Sequence, residues 1–315
     1  MTPTIASSAS ERRRFACIAC GRCCNRGPEM ELSEASTLAD TFITSLLFKV
    51  HSLPTSERSG WATQWWENQS SRIPLRPALE ERRRHLSLFA SRRRVDKVRD
   101  RHIFLEISAI VDYDGQRRCP ALRNKLCSIY EHRPLGCRTL PAHYSRAPSA
   151  LRDGIDQFAT TPGHDCDTGA SAPVVLDGSR VVDPELCDAR QRAVKLAKAD
   201  RAWKTALLDV LDSQDRADTT TLSSFEVIVA NSDRGFATQL PMIVAWRVAR
   251  RRGMISLEEI TDLCRAQLRQ IEAAIADHPS VGRLRELLDL AALYRTELRQ
   301  SPILLTNLDA SPPSA

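Results

Sequence analysis

The chain has 315 residues, of which 42% are hydrophobic, and its formal net charge is +6. This length allows about two domains with buried cores, and no stretch approaches the ~18 apolar residues that a membrane-spanning helix requires. Because no apolar segment follows Met1, we expect a cytoplasmic protein rather than a secreted or membrane-bound one.

Four cysteines fall within eight residues near the start of the chain, namely Cys17, Cys20, Cys23 and Cys24. Their C-x2-C-x2-C spacing resembles the first three ligands of a bacterial four-iron cluster more than the separate C-x2-C pairs of most zinc sites. The spacing therefore predicts a metal site, with a 4Fe-4S iron–sulfur cluster preferred and zinc as the alternative.

A disulfide framework is the competing interpretation of these cysteines. Ten cysteines in 315 residues are too sparse for a small disulfide-rich scaffold. The adjacent Cys23 and Cys24 could not easily bridge each other without strain. Metal ligation in a reducing compartment therefore fits the pattern better.

Apolar residues recur at steps of three and four between Leu38 and Val50. This period predicts a helix that begins near Ser33 and ends before Pro54. The three tryptophans that follow have helical spacing, which favours a position in the core over a ligand site; they are Trp61, Trp65 and Trp66.

Between residues 71 and 101 the chain carries eleven basic and four acidic side chains. Such a segment could attract phosphate backbones or an acidic partner. On a helix, Arg82 and Arg93 would share a face with Leu86 and Phe89, so the charges do not form a separate stripe. We therefore expect a solvated helix or a docking face, and not a nucleic-acid site.

Residues 103–113 contain many apolar side chains, which predicts one or two short strands that end at the turn signal Asp114-Gly115. These strands would bring Cys119 to the metal site. Three further cysteines follow in short motifs, namely Cys127-Ser128-Ile129-Tyr130 with Arg133-Pro134, Cys137-Arg138 with Pro141, and His164-Asp165-Cys166.

Together with Cys119-Pro120-Ala121-Leu122 and the N-terminal cluster, these motifs resemble the YkgJ-type cysteine-cluster family of zinc- or iron-chelating domains. The resemblance covers roughly residues 13–170. It implies a metal-binding domain and leaves the biochemical role open.

Cys187 and Cys264 lie on predicted helices and are expected to be structural. The remaining eight thiols are the predicted metal ligands: Cys17, Cys20, Cys23, Cys24, Cys119, Cys127, Cys137 and Cys166. Eight thiolates suffice for two four-thiolate sites, or for one cluster with a supporting zinc or redox site.

A four-thiolate site that holds zinc or a four-iron cluster carries net negative charge, so cations are expected beside it. Arg22, Arg133 and Arg138 are the predicted cofactor-binding arginines, since they flank the cysteines where side chains could orient and screen sulfur. Arg26 and Arg118 are further cations of this region. The alternative ligands are His143 and His164.

Helical periodicity dominates the C-terminal part of the chain. It predicts a helix over about 183–211, a helix that begins with a capping box of Ser256 and Glu259, and a last helix over 281–298. Residues 170–183 are predicted to be a linker.

The predicted fold is therefore mainly α with a few short strands. It has four parts: a flexible N-terminus over 1–12, an irregular metal-stapled cysteine-cluster domain over 13–170, a helical domain over 183–300, and a flexible tail over 301–315.

Three functions are compatible with these patterns. The first is a metal-binding protein with a redox or metal-handling role. The second is a protein-modifying enzyme, because flagellin lysine N-methylases carry a related cysteine cluster; the chain lacks a glycine-rich nucleotide loop, however. The third is a module in which metal only staples the fold, while the basic segment and the C-terminal helices bind an unknown protein partner.

Overall fold

The structure is a computed structural model that describes residues 12–18, 21–25, 27–60, 62, 75–112, 119–215, 224–277 and 279–300. None of the helices in this part of the chain combines membrane-spanning length with sufficient hydropathy.

The strands are short except for two of eleven residues each. They are β1 (Arg12–Arg14), β2 (Glu29–Met30), β3 (Thr44–Pro54), β4 (Ala90–Asp96), β5 (Arg101–Val111), β6 (Leu122–Arg123), β7 (Leu126–Cys127), β8 (Val174–Asp177), β9 (Arg180–Val181) and β10 (Thr238–Pro241). The helices are α1 (Leu32–Thr37), α2 (Leu75–Phe89), α3 (Leu135–Arg138), α4 (Leu151–Thr160), α5 (Pro184–Ala199), α6 (Arg201–Asp215), α7 (Ser224–Asp233), α8 (Ile243–Arg251), α9 (Leu257–Ala276) and α10 (Val281–Gln300).

The prediction of a mainly α fold with a few short strands is wrong. About 52% of the structure is helical and about 20% is in strands, which form several antiparallel sheets. One sheet has the order β1-β8-β9, a second has the order β10-β3-β5-β2 with β4 also paired to β5, and β6 pairs with β7.

The largest difference concerns β3, which occupies the second half of the predicted helix. Helix α1 ends at Thr37, and the chain is extended from Thr44. Leu46, Leu47 and Phe48 are all buried, so this strand carries apolar side chains on both faces. A strand buried on both faces lacks the alternation that identifies strands, and its apolar spacing is easily taken for that of a helix.

Two other predictions also need correction. Arg93 lies on β4 and not on a helix with Leu86 and Phe89, because the helix ends at Phe89. The predicted linker over 170–183 contains β8 and β9, which form a sheet with the N-terminal strand β1.

The remaining helix and strand predictions agree with the structure in part or in full. Strand β5 lies where strands were predicted, and α10 covers the last predicted helix. The capping box of Ser256 and Glu259 is present at the start of α9. The helix predicted over 183–211 is divided at Asp200 into α5 and α6. The three tryptophans of the predicted core group, and the turn at 114–115, lie outside the described residues.

The chain divides into two compact units, each built from three stretches of sequence. The first unit comprises Met1–Asn25, His51–Leu105 and Leu122–Lys198, and the second comprises Arg26–Val50, Glu106–Ala121 and Ala199–Ala315. The long strands β3 and β5 contribute residues to both. The domain bounds given by the sequence stay a prediction.

Three hydrophobic clusters form the core of the first unit. One packs α4 against β8 through Leu151 and Leu176. In another, Phe89 at the end of α2 packs on Tyr144, with 5.4 Å between the ring centroids. The third surrounds Leu86. These clusters give the first unit a core that does not depend on thiol ligands.

In the second unit, Gln267 on α9 fixes the turn that leads into β3. Its Nε2 donates to the carbonyls of Ala39 at 2.7 Å and of Phe42 at 2.6 Å. Its Oε1 accepts from the N–H of Thr44 at 3.0 Å. The residue that begins β3 is therefore held by a side chain far away in the sequence.

The second unit also contains a buried ion pair between Lys204 on α6 and Glu31, the residue before α1. Both residues are about 1% exposed. Burial raises the pKa of Glu31 to about 7; the charge of Lys204 opposes this shift, while those of Asp200 and Glu106 add to it. Asp200 also accepts from the N–H of Ser33 at 2.9 Å.

Candidate metal site

Backbone pairing brings the first and the last predicted ligands together. The N–H of Ala16 donates to the carbonyl of Asp167 at 2.8 Å, and the N–H of Asp167 donates to the carbonyl of Ala16 at 3.1 Å. In antiparallel pairing, the residue after one partner faces the residue before the other. Cys17 and Cys166 therefore occupy neighbouring positions.

The segment that precedes the cysteine loop is anchored in the first unit. The ring of Phe15 packs edge-on against that of Phe158, with 5.9 Å between the centroids. The N–H of Phe15 donates to the carbonyl of Pro173 at 3.0 Å. Arg13 forms a two-pronged ion pair with Asp156, in which the second contact is 2.8 Å long. These contacts hold the start of the cysteine loop in a fixed position.

Gly21 allows this loop to approach the hairpin of β6 and β7. Its φ is +71°, and a Cβ atom there would lie 3.1 Å from the carbonyl oxygen of Lys125 and 3.2 Å from Leu122. In the hairpin, Leu122 pairs with Cys127. Asn124 and Lys125 have φ values of 51° and 67°, as a type I′ turn requires. The glycine thus lies against the hairpin that carries Cys127.

Replacing Gly21 with Ala is expected to reduce both stability and metal content. The left-handed conformation costs a non-glycine residue about 1–2 kcal/mol, and the new Cβ would also push the loop away from the hairpin. Gly253→Ala is the matched control, because its φ is +69° and no atom lies within 4 Å of the added Cβ. Urea unfolding and metal analysis should show destabilisation of both variants but metal loss only in Gly21→Ala. Equal metal content in the two variants would show that the close approach of Gly21 to the hairpin is not needed for metal binding.

The surroundings of Cys23 favour its thiolate form. A hydrogen bond with the side chain of Cys24 is the largest influence, and the charges of His164 and Arg133 act in the same direction. Although burial opposes them, these groups lower the pKa of Cys23 to about 6. The deprotonated sulfur is the form that binds metal. Side chains from three separate segments therefore act on this one sulfur.

His164 is held as a metal-binding histidine would be. Its Nδ1 lies 2.9 Å from the carbonyl oxygen of Phe158, and because a carbonyl can only accept, Nδ1 carries the proton. The protonated ring lowers the pKa of Cys23, whereas a ring that has lost its Nε2 proton has the lone pair that a metal needs. His143, the other alternative ligand, has its Nδ1 2.8 Å from the hydroxyl of Ser145.

Two of the three predicted cofactor-binding arginines orient loops beside the cysteines. Arg22 donates to the carbonyl of Gly163 at 3.0 Å and pairs with Asp165 at 3.4 Å, which links the first cysteine loop to the segment before Cys166. The guanidinium of Arg133 lies 3.6 Å from the ring centroid of Tyr130 and donates to the carbonyl of that residue at 2.8 Å.

The third predicted arginine, Arg138, holds the short helix that carries Cys137. It donates to the carbonyl of Glu131, so it connects α3 to the turn before it. Within the helix, the N–H of Cys137 donates to the carbonyl of Pro134 at 2.9 Å. The hydroxyl of Thr139 donates to the carbonyl of Leu135 at 2.9 Å and closes the end of the turn.

The structure describes seven of the eight predicted ligands. Cys17 is exposed, and the other six are partly buried: Cys23, Cys24, Cys119, Cys127, Cys137 and Cys166. Cys119 belongs to the second unit and the rest to the first. Cys20, Arg26 and Arg118 lie outside the described residues. Within the described part of the chain, no three His, Cys, Asp or Glu side chains are grouped closely enough to hold one ion. The full ligand set therefore stays a prediction.

The described cysteines include the two that were predicted to be structural, Cys187 and Cys264. None of the nine cysteines with described positions is in a disulfide. Cys264 is fully buried on α9, where burial raises its pKa to about 12, so it is a poor metal ligand. Cys187 lies on α5 and its sulfur is 3.6 Å from the Nε2 of Gln191.

Sequence reasoning missed three residues that position this region. They are Phe158, whose carbonyl orients His164, Asp165, which pairs with Arg22, and Asp167, whose backbone pairs with Ala16. The two aspartates flank Cys166, and their position next to a predicted ligand could have indicated that they help to position the site. No local pattern marks the carbonyl of Phe158.

Comparison with known families identifies the same part of the chain. Residues 16–167 match the family model CxxCxxCC, described as a putative zinc- or iron-chelating domain. No curated protein and no solved structure has significant similarity to the chain.

Proposed function

Because residues 16–167 form a domain of the CxxCxxCC family of zinc- or iron-chelating domains, we propose that this metal-binding domain holds a 4Fe-4S cluster. We assign Cys17, Cys20, Cys23 and Cys166 as its ligands. The C-x2-C-x2-C spacing supports the assignment of the first three thiols, and the backbone bridge between Ala16 and Asp167 supports that of Cys166. Such a cluster exchanges single electrons, which suits a redox or metal-handling role in the reducing cytoplasm.

The surroundings of Cys23 are the observation that supports this proposal most strongly. A thiol with a pKa of about 6 is largely deprotonated at neutral pH, so it binds metal without first losing a proton to solvent. The hydrogen bond with Cys24 is the largest single influence on this pKa. In this assignment Cys24 supports the ligand Cys23 and does not bind the same ion.

Positive side chains near the cysteines are consistent with a negatively charged cofactor. The charge of Arg133 acts directly on the sulfur of Cys23, and Arg22 lies one residue before it. Four thiolates around a doubly charged cluster leave about two negative charges, which nearby guanidinium groups stabilise. We assign Cys127 and Cys137 to a second site.

Replacing Cys23 with Ser is expected to remove most of the bound iron. A hydroxyl is a poor donor to a soft metal site and leaves a coordination position open. The measurement is iron, sulfide and zinc per chain after anaerobic purification, together with the visible absorbance of the protein. We expect wild type to be brown and the variant to retain less than about half of the iron.

Cys264→Ser is the control, since this buried thiol lies in the second unit. Its replacement is expected to leave the iron content unchanged. A colourless wild-type protein that contains stoichiometric zinc would replace the iron–sulfur proposal with a zinc site. Iron loss in Cys264→Ser without loss in Cys23→Ser would contradict the ligand assignment itself.

A further inference from the structure

Two contacts join the first cysteine loop to segment 163–167 of the first unit. One is the backbone pairing of Ala16 with Asp167, whose two hydrogen bonds are 2.8 Å and 3.1 Å long. It lies beside the pairing of β1 with β8, which is extended by a hydrogen bond of 3.0 Å from the N–H of Phe15 to the carbonyl of Pro173. The adjacent sheet therefore supports this end of the loop.

The second contact is made by a side chain at the other end of the loop. The guanidinium of Arg22 donates to the carbonyl of Gly163 at 3.0 Å and lies 3.4 Å from the carboxylate of Asp165. Gly163 adopts a left-handed φ of 90° in a turn that is closed by a hydrogen bond of 3.0 Å from the N–H of His164 to the carbonyl of Thr161. The turn holds the acceptors in place, so opening this contact requires movement of Arg22.

The second contact is open to solvent. The side chains of Arg22 and Asp165 are 55% and 57% exposed. Exposed ion pairs are individually weak and are screened by salt. We therefore expect the loop to open first at Arg22, while it stays attached to segment 163–167 through the backbone of Ala16.

The proposed cluster ligands lie directly beside these two contacts. Cys17 and Cys166 are next to the backbone contact, and Cys23 follows Arg22. His164 lies between the two residues that Arg22 contacts, and its charge acts on the sulfur of Cys23. Opening the loop at Arg22 would therefore separate ligands that are assigned to the same cluster.

We propose that Arg22 and Asp165 form a latch that controls how fast the site exchanges its metal. This inference rests on the proposed metal-binding function and concerns the regulation of the same site. While the latch is closed, the loop keeps Cys23 beside segment 163–167. When salt or a competing anion draws Arg22 away from Asp165, the loop opens and the metal is released faster. Both residues act through the loop, so they are positioning residues and not ligands.

The test measures the transfer of bound iron or zinc from the full-length protein to excess EDTA under anaerobic conditions, as a rate per bound metal. Asp165→Asn is expected to release metal about twofold to fivefold faster than wild type at low ionic strength. The control is Asp177→Asn, which breaks another exposed ion pair of the same unit, that with Arg12 at 3.1 Å, and should release metal as wild type does. Added salt should accelerate release from wild type and from the control, but not from Asp165→Asn.

Two further measurements separate the latch from the loss of a single charge. If the two side chains form one contact, the double variant of Arg22→Gln and Asp165→Asn should release metal no faster than Arg22→Gln alone. In the metal-free protein, the amide of Cys24, which donates to the carbonyl of Gly21 at 3.3 Å, should exchange hydrogen faster in Asp165→Asn than in wild type. The amide of Asp167, at the backbone contact, should exchange as in wild type.

The possible outcomes distinguish the latch from the metal site itself. Equal release rates from metal-loaded wild type and Asp165→Asn, additive effects of the two substitutions, or an unchanged amide of Cys24 would overturn the latch and leave the metal assignment standing. A wild-type protein that retains no metal would overturn the proposed function and the latch with it.

Discussion

Replacing Lys204 with Met is expected to lower the free energy of unfolding by about 3–5 kcal/mol at about pH 8. Lys204 and Glu31 form an ion pair in which both residues are almost fully buried. Removing the lysine leaves the carboxyl group of Glu31 beside Asp200 and Glu106 without the positive charge of Lys204. Urea unfolding followed by circular dichroism measures the loss.

The pH dependence of the lost stability tests whether the carboxyl group of Glu31 causes it. The pKa of Glu31 in the folded protein, about 7, is above the ordinary value of 4.5, so its ionisation costs stability as the pH rises from about 4.5 to about 7. Without Lys204 this pKa rises further, and Glu31 stays protonated at a higher pH. The loss in Lys204→Met should therefore be smaller at about pH 6 than at about pH 8.

Two variants separate this effect from a general effect of the substitution. The double variant of Glu31→Gln and Lys204→Met should recover part of the lost stability, because no uncompensated charge remains. Lys198→Met changes an exposed lysine and should stay within about 0.5 kcal/mol of wild type. A loss in Lys204→Met that is independent of pH, with no recovery in the double variant, would assign the effect to packing alone.

Removing the metal is expected to loosen the cysteine-bearing segments without unfolding the whole first unit. In small zinc peptides, which lack another core, metal supplies on the order of 10 kcal/mol of folding free energy. The first unit has three hydrophobic clusters of its own. We expect backbone hydrogen exchange to rise about a hundredfold in segments 16–25, 122–138 and 163–167 after chelation, a change of about 2.7 kcal/mol.

Helices α4 and α5 provide the internal control for that experiment, because their buried faces contribute to the hydrophobic clusters. Their exchange should change much less than that of the cysteine-bearing segments. Cooperative loss of protection in these helices would show that metal supplies most of the stability of the unit. Unchanged exchange everywhere would place the metal outside these segments.

Patterns among residues close together in sequence correctly predicted the helices that depend on such residues. The capping box at Ser256 and Glu259 needs only four consecutive residues, and it was found at the start of α9. The polar and apolar pattern of α10 is likewise contained in its own twenty residues. The residues from which these two helices were predicted therefore lie within or directly beside the helices themselves.

The cysteine motifs were recognised for a similar reason. Metal ligation requires particular side chains at particular spacings, so C-x2-C-x2-C and the motifs near Cys127 and Cys137 are visible without coordinates. The matched family segment, residues 16–167, agrees closely with the region predicted from those motifs. Cys24, the largest influence on the pKa of Cys23, is adjacent in sequence, but His164 and Arg133 are remote, so their joint effect on this one sulfur was not predicted.

The sequence by itself determined that this chain carries a metal-chelating domain and helices near its C-terminus, because spacing and periodicity are local properties. Only the tertiary structure decided that residues 44–54 form a strand, since β3 is paired with β10 and held by Gln267, both far along the chain. The same holds for the position of Cys17 beside Cys166, which depends on two backbone hydrogen bonds between Ala16 and Asp167. Long-range hydrogen bonds of this kind leave no periodic trace in the residues that make them.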